Sequence, residues 1–321
     1  MRLLKLVPDN TNIDFMRWRN LALVLSIVVT LAAIGLTAYR GLNLGVDFVG
    51  GQMIRATFDR PAPIEDVRER IEALNLGSAN IQEFGNPNTL SIRMGLPDGG
   101  EEAANVAGSR VRQTISQAYP GTEFAVDTVS GKVSDELYKS GAIAVLLAML
   151  GIAVYIWFRF EWQFGVGALI TLFHDVAMTI GFFSLTQLEF DLNVVAAILT
   201  IVGYSLNDTV VIYDRIRENL RKYRKMEIVP LLNLSLNETL SRTMVTSLSI
   251  MLALLILTLI GPAVIFGLSV AILFGIFVGT YSSIYISSPV LVWLGVGPDS
   301  FVAKAGANAG AERVSSRNES F

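Results

Sequence analysis

Six apolar runs, each long enough to cross a bilayer, divide the chain at about 20–39, 140–158, 164–186, 193–213, 244–260 and 266–290. A hydrocarbon core of roughly 30 Å takes about 20 helical residues, so these runs dictate an α-helical membrane protein of six spans. The composition agrees: of 321 residues, 52% are hydrophobic and 17% charged, and the mean hydropathy is +0.51. The first run, Leu21 to Ala38, lies behind Arg17 and Arg19 and is followed by no small-residue cleavage site, so it reads as a retained anchor.

Lys and Arg in the short loops set the orientation. Residues 1–19 carry four, Arg159 lies between the second and third runs, and residues 214–243 carry seven; 187–192 and 261–265 carry none. The N-terminal segment 1–19, the 214–243 loop and the tail 296–321 are therefore expected in the cytoplasm. By parity, 40–139 lies outside. The loop is basic from Arg215 to Lys225, then amphipathic with Leu231, Leu232, Leu234, Leu236 and Leu240, which reads as a positive-inside anchor with a helix lying on the inner membrane surface, the alternative being a binding site for a cytoplasmic partner. The tail, Ala303–Phe321, reads as disordered.

The segment 40–139 holds the one extramembrane domain. Strands are expected near Gly51–Phe58, Ala79–Phe84, Leu90–Met94 and Thr122–Val129. Helices fall after Pro61-Ala-Pro63 and over Glu101–Tyr119, stopped by Pro120-Gly121. That βαββαβ order is the ferredoxin-like α+β motif. The fold class is thus a six-helix bundle (run 1, then 140–295) with a periplasmic ferredoxin-like domain between helices 1 and 2.

Candidate chemistry lies within the spans. Asp208 interrupts the fourth run, and a carboxylate at membrane depth costs roughly 2.5–3.5 kcal/mol on insertion scales, so it needs a partner or a purpose. It stands about five residues, or roughly 8 Å, from the charged end of its helix. Arg242, entering the fifth run antiparallel to it, is within reach of a buried ion pair. Ser205, Asn207 and Thr209 are available to donate hydrogen bonds to Asp208. His174-Asp175, halfway along the third run, is a second polar station, either a helix–helix hydrogen bond or a step on a proton or water path. Gly275, Gly279, Ser283 and Ser287 share one helix face at a spacing of four and suit close helix packing. Gly45, Asp47, Phe48, Gly50 and Gly51 form a glycine-rich connector after the first run. The single histidine, His174, and the lack of cysteine exclude a two-histidine metal site, a thiolate site, disulfides and a cysteine nucleophile. No charge pattern points to nucleic acid.

Together, Gly45-Val-Asp47-Phe48-Val-Gly50-Gly51, Phe173-His174-Asp175, Gly203-Tyr-Ser-Leu-Asn207-Asp208-Thr209, Asp214-Arg215-Ile-Arg217-Glu218-Asn219 and Ser241-Arg242-Thr243 resemble the SecF subunits of the bacterial SecD–SecF protein-export family, in the resistance-nodulation-division superfamily. The resemblance covers about residues 12–297; Ser241 stands where some such proteins carry His. It implies a multi-pass protein of the bacterial inner membrane, with both termini cytoplasmic, that works with SecD. Together they assist the SecY–SecE–SecG channel, with other membrane accessory proteins, by pulling unfolded polypeptide outward at the expense of the proton gradient. Protons are then the coupling ion, no cofactor is implied, and the protein is a translocation accessory rather than an enzyme of covalent chemistry. Asp208 and Arg242 are the residues so implicated in proton movement, Asp175 a lesser candidate, and Gly45–Gly51 the hinge that carries motion to the outer domain. A purely structural scaffold and a small-molecule exporter of the same superfamily are the alternatives.

Overall fold

The structure, a computed structural model, describes residues 11–76, 79–97 and 99–297, so the start of the N-terminal segment and nearly all of the tail lie outside the described residues. Six helical segments are long and apolar enough to cross a membrane. A short 3-10 turn, Phe15–Trp18, leads into α1 (Arg19–Arg40), and a one-turn helix, α2 (Val46–Val49), follows. The extramembrane domain is built from β1 (Gly51–Thr57), α3 (Ile64–Glu72), β2 (Ala79–Phe84), β3 (Asn86–Met94), α4 (Gly100–Ala118) and β4 (Glu123–Val129). The bundle then continues with α5 (Gly131–Arg159), α6 (Trp162–Thr186), α7 (Leu192–Lys222), α8 (Ile228–Ile260), α9 (Phe266–Tyr285) and α10 (Ser287–Trp293).

The four strands form one antiparallel sheet in the order β2-β3-β1-β4, the ferredoxin-like arrangement expected. Alternation sets its core. Ile81, Ile92, Ile54 and Val126 lie in register across all four strands. Val67 and Ile71 of α3, and Val111 and Ile115 of α4, close over that face. The hairpin is tighter than its sequence suggests: β3 starts at Asn86, and an irregularity between Glu83 and Phe84 takes up the difference.

In the bundle, α6, α7 and α9 are the inner helices, with 56%, 56% and 50% of their spanning windows buried against 11% for α5 and α8. Small residues permit the close approaches: a Cβ on Gly181 of α6 would collide with Ala33 of α1, and one on Gly275 of α9 with Ile201 of α7.

Two expectations about the basic loop are corrected. Helix α7 does not end near Tyr213 but runs on to Lys222, and α8 begins at Ile228 rather than 244. Only residues 223–227 connect them. The amphipathic stretch is therefore no separate surface helix but the first half of α8. Its leucines Leu231, Leu232, Leu236 and Leu240 are buried with Phe15, Met16, Ile216 and Leu220, so their apolar face meets protein rather than lipid. Polar contacts fix the same junction. Asn219 donates to Ser235 Oγ (3.0 Å) and Glu238 (2.7 Å), Arg215 pairs with Glu238 (2.8 Å), and Asn233 and Asn237 accept from the Met16 and Ile13 amides (3.0 and 2.8 Å). The last span is broken too. Ile286, with φ −117°, separates α9 from α10, although its amide still donates to the Ser282 carbonyl (2.9 Å) and its carbonyl accepts from the Val290 amide (3.1 Å).

Candidate functional site

The sequence of α7 puts Tyr204 and Asp208 one turn apart, and that of α8 does the same for Thr243 and Ser247, so each pair shares a helix face. The faces meet. Tyr204 hydroxyl and Ser247 Oγ lie 3.0 Å apart, and Thr280 of α9 donates to Ser247 at 2.8 Å. Asp208 is 3% exposed and lies beside the Ser247 hydroxyl. Its Oδ2, together with Thr209 Oγ1 and Thr243 Oγ1, is buried with no hydrogen-bond partner among the described residues. Buried carboxylates are ordinarily satisfied, since an unmet polar atom costs about 1–3 kcal/mol, so the unpartnered oxygen of Asp208 sets this residue apart.

The expected pairing of Asp208 with Arg242 is not formed. Arg242 is exposed and makes no ion pair with Asp208. Register is the reason. The buried stripe of α8 runs through Ser235, Thr239, Thr243 and Ser247, and Arg242 lies about 100° round the helix from it. Nor do the other expected donors serve Asp208: Asn207 is exposed, Thr209 is unsatisfied, and Ser205 is directed to a different acid.

That acid is Asp175, 1% exposed in the middle of α6. Its Oδ1 lies 2.9 Å from His174 Nδ1, and its Oδ2 accepts from Ser205 Oγ of α7 (2.5 Å) and Ser282 Oγ of α9 (2.9 Å). One carboxylate thus joins the three inner helices. Gly279 makes room for it: a Cβ there would sit 3.3 Å from Ser205 Cβ and 3.6 Å from Asp175 Oδ2. The His174 ring faces Tyr281 at 6.5 Å, whose hydroxyl is 3.0 Å from Ser26 Oγ on α1. Asp175 of α6 therefore meets α7 at Ser205, three residues before Asp208 on that helix. Tyr204, Thr243, Ser247, Thr280 and Ser282 were not singled out from sequence. A signal existed for the first three, because polar residues recur at i, i+4 inside apolar runs; Thr280 and Ser282 are masked by the small residues around them.

The four-residue ladder meets two surroundings. Gly275 and Gly279 face α7, whereas Ser287 lies beyond the break and donates to the Ser283 carbonyl (2.5 Å). Gly275→Val should cost about 1–3 kcal/mol, because Ile201 must move to admit the side chain. Thermal unfolding in detergent reads that loss, and an unchanged melting temperature would mean that α7 and α9 separate freely.

Outside the bundle, the connector is clasped rather than open. The Gly45 amide donates to the Phe190 carbonyl (2.9 Å), Asp47 Oδ2 accepts from the Leu192 amide (3.0 Å), and Phe48 packs on Tyr138 and Phe190. Gly50 and Gly51 have φ of +71° and +117°, conformations that disfavour side chains. Gly50 lies where Leu96, Gly131 and Ser134 converge, at 3.0–3.2 Å from a Cβ position.

Comparison with known proteins places this arrangement. The model of the family "Protein export membrane protein SecD/SecF, C-terminal" matches residues 111–297, and that of the SecD/SecF GG motif matches 40–62, the connector with Gly50 and Gly51. The protein translocase subunit SecF of Rickettsia akari is 43% identical over 288 residues, covering 90% of this chain and 94% of that protein. SecF of Rickettsia typhi is 44% identical over 290 residues, again 90% of this chain and 94% of that one. Among solved structures, SecDF from Thermus thermophilus, described as a translocon-associated membrane protein, superposes with a TM-score of 0.81 at 33% identity over 91% of this chain. SecDF in a super-membrane-facing form gives 0.66 at 32% identity over 89%. This chain spans only 40% and 39% of those two. With a family model over more than half its length and SecF relatives aligned nearly end to end, the chain belongs to the SecD/SecF family of protein-export membrane proteins, as a multi-pass translocase subunit of the SecF type.

Proposed function

We propose that this protein is the SecF half of a SecD–SecF assembly in the bacterial inner membrane. It uses the proton gradient to promote polypeptide export through the SecY–SecE–SecG channel. The supporting observation is Asp208: a buried residue whose carboxyl group has an unsatisfied oxygen and faces Ser247 across the α7–α8 contact. A static scaffold would be expected to satisfy such a group. A proton-carrying one leaves it a place to bind and release a proton.

In this reading the sheet domain and both sharp loops, 187–191 and 261–262, face outward, and the termini face the cytoplasm. SecD supplies the second half of the bundle, matching the three-fifths of the SecDF chains that lie beyond this one. Protonation of Asp208 removes its charge from the α7–α8 interface; deprotonation restores it and favours rotation of α8, which brings Arg242 toward the acid. The work available is modest, about 2.3 kcal/mol per proton for each 100 mV, enough to bias a two-state helix contact. The protein is accordingly a translocation accessory, not a catalyst of bond making, and protons are its coupling ion.

The test is Asp208→Asn, assembled with its partner and measured for export with and without a proton gradient. The expected result is normal assembly with loss of the gradient-dependent part of export. Gradient-dependent export that survives the substitution would refute the role of Asp208, and failure to assemble would favour the structural reading.

A further inference from the structure

The sheet domain rests on the bundle at the loop between α6 and α7. From the domain, Arg93 of β3 donates to the Leu44 carbonyl and to Asn43 Oδ1 (2.6 Å), while Asn43 Nδ2 donates to Gln82 of β2 (3.2 Å) and to the Gln187 carbonyl (2.9 Å). From the bundle, the Phe190 amide donates to the Asn43 carbonyl (2.8 Å). Glu189 is enclosed in this joint. Both of its carboxylate oxygens are buried and accept no hydrogen bond from a described residue, and Oε1 lies 3.0 Å from where a Cβ on Gly45 would be.

The charged groups that act on Glu189 come from each packed element. Arg93 lies on β3 and Arg55 on β1, the latter paired with Asp127 of β4 at 2.6 Å. Asp47 lies on α2 and Asp191 caps α7. The last two acids are satisfied: Asp47 accepts from the Leu192 amide, and Asp191 accepts from the Val194 amide (3.0 Å) and from Asn193 (2.9 Å). Glu189 alone of the three has no donor, between two further carboxylates and in a contact that closes two parts of the molecule onto each other.

We propose that Glu189 is a proton switch in the joint between the sheet domain and the helical bundle, which tightens the joint when protonated and loosens it when ionised. This goes beyond the proton movement assigned to Asp208 and does not depend on it. The direction follows from linkage. Burial raises the Glu189 carboxyl from 4.5 to about 6; Arg93 opposes the rise, and Asp191 and Asp47 add to it. An opened joint returns the group to water and to the ordinary carboxylate range. The closed joint therefore binds the proton more tightly. Its extra stability is full at acid pH, is lost as the pH rises through about 6, and amounts to roughly thirty-fold in the closing equilibrium.

Hydrogen exchange of the full chain in lipid nanodiscs, corrected for intrinsic rate, reads that equilibrium at the amides of Gly45, Phe190 and Leu192. Protection at pH 5 should exceed that at pH 8 by about eight-fold, the part of the roughly thirty-fold span that titrates between those values, and Glu189→Gln should hold the high protection at both. Equal protection at the two pH values in the parent, or a pH dependence that survives in Glu189→Gln, would overturn the proposal. Asp191→Asn keeps a competent helix cap while removing one neighbouring negative charge, so it should move the midpoint to lower pH. An unmoved midpoint would equally overturn it, even if the Gln variant failed to insert.

Discussion

Asp175→Ala should destabilise the protein by about 2–5 kcal/mol. The substitution leaves His174 Nδ1, Ser205 Oγ and Ser282 Oγ without their shared acceptor at the centre of three inner helices. Within membrane proteins a helix–helix hydrogen bond is worth about 0.6 kcal/mol on average and up to ~1.7, so the two to Ser205 and Ser282 account for about 1–3 kcal/mol, and stranding His174 on the same helix adds about 1–3. Asp175→Asn keeps the volume and at least one acceptor and should lose less than half as much. The interaction is also directional: a double-mutant cycle between Asp175→Ala and Ser282→Ala should show positive coupling, because the second loss is partly contained in the first. Unfolding in detergent with each variant measures all three. If Asp175→Ala melts with the parent, the carboxylate does not hold the helices together, and a role in proton passage becomes the better account of it.

The second large effect is expected at Gly51. Its φ of +117° is strained for any side chain, and a Cβ there would be driven into the Met94 carbonyl oxygen, a backbone atom that cannot swing away. Gly51 opens β1, the strand that pairs on both sides, with β3 and with β4. Gly51→Ala should therefore cost about 2–4 kcal/mol, from left-handed strain of roughly 1–3 kcal/mol plus displacement of the β1–β3 end. Gly50→Ala has a φ of +71° and contacts of 3.0–3.2 Å, mostly to side chains that can yield, and should cost about half that. Limited proteolysis of the sheet domain, or its loss of amide protection, distinguishes the two. Equal tolerance of alanine at both positions would mean that the connector rearranges readily, as a free hinge would.

Much of the architecture was legible because the signals were local. Pro61-Ala-Pro63, Gly85-Asn-Pro-Asn88 and Pro120-Gly121 punctuate the extramembrane domain, and its strands fall within a few residues of where alternation puts them. Helix ends were less legible, because hydropathy reports membrane thickness and not helix length. Leu231, Leu232, Leu236 and Leu240 look amphipathic in isolation, and only the packed structure shows Phe15, Ile216 and Leu220 against them. Asp208 and Asp175 could be picked out by the cost of placing them. Their partners could not: rotation about the helix axis decides that Ser205 meets Asp175 rather than Asp208, and that Thr243 rather than Arg242 faces α7. Glu189 left no trace, since one acid in a short loop is unremarkable until Gly45 and Arg93 close over it.

Helices α7 and α8, with 31 and 33 residues, measure about 46 and 50 Å, whereas the hydrocarbon layer accounts for only about 30 Å. The surplus, on the side away from the sheet domain, is a stiff two-helix stalk locked by Asn219, Arg215 and Glu238. On the proton-coupling role proposed above, such a stalk would act as a lever arm with its pivot near Asp208 and Thr243. A 10° tilt at the pivot displaces a tip about 20 Å away by roughly 3 Å, a distance comparable with a full hydrogen-bond length. On that proposal, a change of charge at Asp208 would be magnified at the connection formed by residues 223–227.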